Sequence, residues 1–290
     1  HDPLVRDAPV IDRIVEMRDG RLVEAADVDA ALTARTRRHD YPEEQMREAI
    51  TEGEVLISLH GETVGQVNGL TVVDLGDHSF GFPTRITART YAGEEGLVSI
   101  EREVAMSGPI HDKGVLILKH YLASLFARNT PLALNAAIVF EQEYHGIEGD
   151  SASCAELYVL LSSLAGVPLR QGLAVTGALN QHGEVLPVGG INEKIEGYFQ
   201  VCAAAGLDGH QGVLMPGRNR RHLMLDREVV SAVERGLFHI HTIDLALDGL
   251  ALLTGRDAGI ANASGAYPRT SVLGQAQQTL LAHRRAVLPM

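Results

Sequence analysis

The chain has 290 residues and a mass of 31.2 kDa, with 45% hydrophobic and 21% charged residues and a mean hydropathy of +0.02, which supplies a large core and excludes a disordered or fibrous protein. The longest apolar stretches, 157–164 and 115–126, are broken by Ser162 and Ser163 or by Lys119 and His120, so no membrane span and no membrane partner are expected. A formal charge of -12, from 37 acidic and 25 basic residues, opposes binding along a phosphate backbone and leaves only local patches such as Arg218 to Arg221, so nucleic acid is not an expected partner.

In chain order, the first fifty residues read as three short helices with Arg-rich joints. Ile11, Ile14 and Val15 form an apolar stripe, Asp27 stands as N-cap to 28–34, and Pro42 suits a first helical turn ahead of Glu43 and Glu44. From Val55 the pattern turns to strands at 55–59, 63–67, 85–90 and 97–104, separated by Gly and Pro turns. Arg85, Thr87 and Arg89 alternate with Ile86 and Ala88, which predicts one wet face. A helix follows over 113–126, a buried strand over 132–140, and a helix over 154–164 ended by Gly166 and Pro168. Next come a strand over 173–179, a turn at 180–183, a short strand at 185–188 and a helix over 191–205. Strands at 212–215 and 238–243 bracket a helix near 228–234. The pattern predicts an α+β domain over 54–255, behind a helical segment at 1–53 and ahead of an Ala-, Gly-, Ser- and Gln-rich tail at 256–290 with a helix near 271–285.

Two cysteines, Cys154 and Cys202, without C-x-x-C spacing, point to a reducing compartment and no structural zinc. With no basic, apolar leader, the expected location is cytoplasmic. Position 1 is His, which favours a piece of a longer chain.

The chemistry-bearing segment is Glu148-Gly149-Asp150-Ser151-Ala152-Ser153, between a buried strand and a helix that is apolar almost all round. Ser153 and Glu156 have capping-box spacing, which makes Ser153 the N-cap and leaves Ser151 free beside helix-terminal amides, as a nucleophile beside an oxyanion site would be. Local pattern alone favours both serines as ordinary cap and turn residues. A nucleophilic serine needs a base, and none of the thirteen histidines has a spacing that selects it. His111, His145 and His182 read as loop residues, and His239 with His241 lacks a third metal ligand. Lys194 is the other candidate. It lies about 60° from the centre of the stripe formed by Ile191, Ile195, Tyr198 and Cys202. There it is either a snorkelling surface lysine or, if buried, a base with a lowered pKa.

Taken together, these residues resemble the Lon proteases, serine peptidases of family S16 that use a Ser-Lys dyad. The resemblance rests on Gly149-Asp150-Ser151-Ala152-Ser153, on Ala174-Val175-Thr176-Gly177, and on Gly183-Glu184-Val185-Leu186-Pro187-Val188-Gly189-Gly190 followed by Glu193-Lys194, spanning 53–255. Ser151 and Lys194 are 43 positions apart, the spacing of that family. The resemblance implies the Lon-type, ribosomal S5 domain 2-like fold with a small helical N-terminal segment, Ser151 as nucleophile, Lys194 as general base and Thr176 as the residue that positions the lysine. Glu148 and Asp150 match acidic positions of the archaeal-type branch, where they help order the site; simple turn chemistry is the alternative. The Val67-Asn68-Gly69-Leu70 and Phe140-Glu141-Gln142 stretches look more like a bacterial Lon-like subgroup.

Family members carry an ATPase module before the peptidase domain. This chain has no G-x-x-x-x-G-K-[ST], so no cofactor or metal is expected within it and ATP enters only through such a module. The helices at 11–39 resemble the end of its small helical part. By resemblance the protein is a serine endopeptidase (EC 3.4.21) acting on unfolded proteins or peptides in a hexameric ring. The alternatives are a non-catalytic Lon-fold ring or interaction module and a histidine-based esterase, for which the G-x-S-x-G elbow is missing.

Overall fold

The computed structural model describes residues 17–18, 21–127 and 131–287, so the stripe of Ile11, Ile14 and Val15 lies outside the described residues. The described part of the N-terminal segment is a two-residue pair, β1 (Met17–Arg18) and β2 (Arg21–Leu22), then α1 (Ala25–Thr36) and α2 (Tyr41–Thr51). Asp27 is not the N-cap of α1. Glu24 is, and Asp27 sits one turn in, where its carboxylate accepts the Glu24 N–H at 3.0 Å. Pro42 falls in the first turn of α2.

The expected strand at 55–59 is not one. Its backbone is held by side chains instead of a ladder: Asn68 Nδ2 donates to the Ser58 carbonyl at 2.7 Å, and Gln142 clasps Glu54 and Leu56 from 86 or more positions away. At 63–67 a strand forms but breaks near Gly65, giving β3 (Glu62–Thr63) and a long β4 (Gln66–Asp74). β5 (Ser79–Tyr91) returns antiparallel to β4, and its Ile86 and Ala88 are buried while Arg89 is exposed, as the alternation requires. The expected strand at 97–104 stops early: β6 (Gly96–Ser99) gives way to a helical turn, α3 (Ile100–Glu103).

Next come α4 (Pro109–Phe126), β7 (Asn135–Phe140), α5 (Ser153–Ala165) and β8 (Leu169–Arg170). The single strand expected over 173–179 is two, because the chain bends at Thr176 and Gly177. β9 (Leu173–Val175) stays in the main sheet, whereas β10 (Ala178–Leu179) pairs with β11 (Val185–Leu186). The helix at 191–205 is α6 (Ile191–Ala205). It is followed by β12 (Gln211–Pro216), a 3-10 turn (Gly217–His222), α7 (Arg227–Glu234), β13 (Phe238–Ile243), α8 (Ala246–Thr254), which the sequence pattern left unread, and α9 (Val272–Val287).

Seven strands form one mixed sheet in the order β13-β12-β9-β4-β5-β7-β6, with helices on both faces. All neighbours are parallel except along β5, which runs against both β4 and β7. One face carries Val67 and Ile86 into a core with α4, α5, α8 and α9; the other carries Leu70, Ala174, Val213 and Phe238 into a core with α2, α6 and α7. Helix α5 has buried residues on every side, including Leu157, Tyr158 and Leu161, because α9 covers the side the sheet does not. Each such leucine contributes roughly 1.5–3 kcal/mol by leaving water.

Helix α6 approaches β5 with almost no side chain between them: a Cβ at Gly197 would strike the Gly81 carbonyl, and a Cβ at Gly81 would strike the Glu193 and Lys194 backbone. Only glycine at both places allows that separation. We expect Gly197→Ala to destabilise the fold by about 1–3 kcal/mol through overpacking, read as a lowered urea midpoint; an unchanged midpoint would mean that the helix and strand are not in close contact.

Candidate active site

The loop from β7 to α5 ends in a turn that requires Gly149, whose φ of 87° suits no other residue. Past that turn the Ser151 carbonyl accepts the Gly177 N–H at 2.7 Å, and the Gly177 carbonyl accepts the Cys154 N–H at 3.1 Å. Ser151 is thus tied to the bend just beyond β9. Among the described residues no hydrogen bond takes up the Asp150 or Ser151 amide.

The expected capping box at Ser153 does not form. The N-cap of α5 is Ala152, with no side-chain cap. The Ser153 hydroxyl turns back and donates to the Asp150 carbonyl at 2.6 Å. Glu156, its expected partner, is drawn into the interior beside His111.

Lys194 comes from the first turn of α6, on the opposite face of the sheet, and reaches past the end of β9. Its Nζ lies 2.9 Å from Ser151 Oγ and donates to Thr176 Oγ1 at 3.1 Å, while the Thr176 hydroxyl donates to the Ser151 carbonyl at 3.4 Å. Far from lying on the border of a buried face, Lys194 is 4% exposed. Burial lowers its pKa from 10.5 to about 8, and the nearby Asp150 carboxylate works in the opposite direction. Glu148 stands further off: its carboxylate accepts the Ile110 N–H at 3.2 Å, at the start of α4, a favourable place for an anion.

Ser151 and Lys194 line a groove of about 810 Å³ whose walls include Leu70, Val72, Phe82 and Gly190. Beyond Gly69, β4 has no sheet neighbour on its β9 side among the described residues. Segment 55–57 forms part of the wall and is held by Gln142, whose Oε1 accepts the Leu56 N–H and whose Nε2 donates to the Glu54 carbonyl, both at 2.8 Å. Gln142 pays for the grip with a left-handed φ of 58°.

Of the other flagged residues, His145 and His182 are exposed loop residues. His111 is not in a loop but in the first turn of α4, buried and lining the groove. His239 and His241 stack with centroids 5.9 Å apart, and His239 Nε2 is bonded to the Gly209 carbonyl. Among the described residues no three His, Cys, Asp or Glu side chains gather as metal ligands would. Cys154 and Cys202 are free and buried. The clasp of Gln142 and the close packing at Gly81 and Gly197 have no counterpart in the sequence reading. The glycines carried the one available signal, an unexplained Gly within a strand and within a helix.

Residues 145–249, which hold Ser151, Thr176 and Lys194, match the family model of the Lon protease (S16) C-terminal proteolytic domain. The chain carries a Lon-type proteolytic domain. It is 40% identical over 242 residues to a Lon protease homolog of Escherichia coli K12, covering 83% of this chain and 41% of that protein. It is 38% identical over 237 residues to a Lon protease homolog of Haemophilus influenzae, covering 81% and 39%. To the archaeal Lon protease of Thermococcus kodakarensis it is 31% identical over 206 residues, covering 69% and 29%. The chain therefore spans about 41% or less of these relatives' length. The β4–β5 hairpin, which supplies much of the groove wall of the Lon-type domain, precedes the matched 145–249.

Because its folded pKa is depressed, Lys194 opposes folding below about pH 8, and that penalty fades as pH rises toward 10.5, where the unfolded chain also loses the proton. Lys194→Met is expected to raise stability at pH 7 by up to about 3 kcal/mol, less whatever its hydrogen bonds contribute. The gain should shrink as pH rises through the same window. Urea unfolding of both proteins at several pH values checks this, and a gain that does not vary with pH would contradict the buried amine.

Proposed function

We propose that this protein is a serine endopeptidase in which Ser151 is the nucleophile and Lys194 the general base. The observation that carries the reading is the 2.9 Å approach of Lys194 Nζ to Ser151 Oγ in a place buried enough to lower the amine's pKa to about 8. An amine so placed is neutral in a usable fraction near neutral pH and accepts the serine proton as Oγ bonds to the scissile carbonyl carbon. The Asp150 and Ser151 amides, which have no hydrogen-bond partner among the described residues, receive the oxyanion. When the carbonyl re-forms, the peptide C–N bond breaks and Lys194 returns its proton to the leaving amine. Water then hydrolyses the acyl-enzyme by the same route, giving up a proton to Lys194. Thr176 holds Nζ and the Ser151 carbonyl together, and Asp150 keeps the amine from becoming too weak a base.

The open, largely apolar groove supports unfolded protein or peptide substrates, which present extended backbone to it. On the family likeness we further propose that the domain, taken as 54–255, works as part of a hexameric ring in the cytoplasm. ATP would act only through a separate ATPase module, since this chain has no phosphate-cradling loop of that kind.

Ser151→Ala and Lys194→Arg should each lower the rate on a fluorogenic peptide by about a thousandfold or more while leaving the fold intact. Arginine keeps a permanent charge and cannot accept the proton. The parent's rate should rise with pH through about 8, the region to which burial brings Lys194. Substantial cleavage by Lys194→Arg would remove Lys194 as base, and a parent that binds peptide without cleaving it would favour the non-catalytic module.

A further inference from the structure

Segment 54–58 is held in the groove wall without a strand ladder. At one side the Val55 N–H donates to the Ala49 carbonyl in the last turn of α2 at 3.0 Å, and at the other the Ser58 carbonyl accepts Asn68 Nδ2 at 2.7 Å. Between these anchors Gln142 supplies the grip, accepting the Leu56 N–H and donating to the Glu54 carbonyl. Gln142 has firm footing for this. The Glu141 N–H donates to the Arg85 carbonyl at 2.8 Å, and the Glu141 carboxylate accepts the Thr87 hydroxyl at 2.8 Å. The left-handed turn at Gln142 comes directly after these bonds to β5.

The residue presented by this clasp is Leu56. Val55 and Ile57 on either side of it pack against the core beside α6, whereas Leu56 is 52% exposed and lines the same groove as Ser151 and Lys194. A lone exposed leucine is ordinary on an open surface. This one is fixed by its own backbone N–H to a residue 86 positions away that adopts an unfavourable conformation to reach it. Arg85, Glu141 and Glu143, which also line the groove, are each engaged with their own neighbours: Arg85 Nη2 donates to Ser58 Oγ at 3.2 Å, Glu141 accepts from Thr87, and Glu143 accepts the His145 N–H at 2.9 Å. With Leu70 and Phe82 opposite in chemistry to these, the wall offers a visitor mainly apolar surface.

We propose that Leu56 is a specificity-determining residue that covers an apolar side chain of the peptide substrate, and that Gln142 is the positioning residue that holds it in place. The inference rests on the groove being where the substrate peptide lies. Covering an apolar side chain removes it and Leu56 from water together. A wall already ordered by Gln142 spends none of that gain on immobilising itself when the peptide arrives.

The test uses two fluorogenic peptides of equal length with the same residues at the cleaved bond, one carrying leucine and the other serine at the flanking positions, with thermal unfolding of each variant alongside. The parent should show the lower KM for the leucine peptide. Leu56→Ser should raise that KM by about three- to tenfold, a larger effect than on kcat, and leave the serine peptide's KM where it was. Leu56→Met should recover most of the loss. Gln142→Gly fits the left-handed turn while removing both bonds, so it should also raise the leucine peptide's KM, and the double variant should do no worse than Leu56→Ser, because Gln142 acts through Leu56. A parent indifferent to the two peptides, a preference that survives Leu56→Ser, parental KM in Gln142→Gly, or additive losses in the double variant would each overturn the proposal. If Gln142→Gly does not fold, the Leu56 pair decides. Fluorescence anisotropy of the same peptides on Ser151→Ala reads binding without turnover: a parent that cleaves neither peptide removes the peptidase reading, whereas equal binding of both peptides removes this one.

Discussion

Lys194 reaches Ser151 because helix α6 lies nearly backbone to backbone on strand β5 at Gly197 and Gly81. With ordinary side chains there, the helix would stand off by the width of a methyl group or more, water would enter around the lysine stem, and the amine would keep its usual affinity for a proton. The close packing also explains why Thr176 matters. A buried amine must have its hydrogens accepted, and the Thr176 hydroxyl does so while tying itself to the backbone that carries Ser151.

Ser151 and Lys194 come from opposite faces of one sheet and meet beyond the end of β9, where its pairing with β4 stops. Crevices beyond the carboxyl ends of parallel strands are common sites in α/β folds, because helix N-termini and strand ends converge there with unpaired backbone groups. Here that geometry brings the N-terminal ends of α5 and α6 together, one beside the Asp150 and Ser151 amides and one with the lysine. The groove extends from this point along the unpaired side of β4.

Much of this was legible in the sequence, and the failures share a cause. Helices α5 and α6 and strand β13 followed from periodicity, because each has a strong apolar pattern and a Gly or Pro boundary. The strand expected at 55–59 does not form; an extended apolar run looks the same whether its backbone meets a neighbouring strand or the side chains of Asn68 and Gln142. The capping box failed for a similar reason. Its spacing was right, but the N-cap falls at Ala152 and Glu156 is buried inside the fold, neither of which local pattern can see. At the site, Ser151 and Lys194 were identifiable as a pair only through the family likeness, since neither stands out from ordinary cap and boundary residues. Helix α9, expected near 271–285 in the tail, packs Val272, Leu273 and Ala276 into the α5 core, a docking that its polar composition conceals.

The clasp of Gln142 on Glu54 and Leu56 has a consequence for biosynthesis. Its partners lie 88 and 86 positions from it in the chain, and β4 joins β9 across a gap of more than a hundred. Contacts so distant in sequence form late, after most loop-closure entropy has been spent. A chain still emerging from the ribosome therefore holds neither the groove wall nor the approach of Lys194 to Ser151, and the two side chains meet only when the sheet is nearly whole.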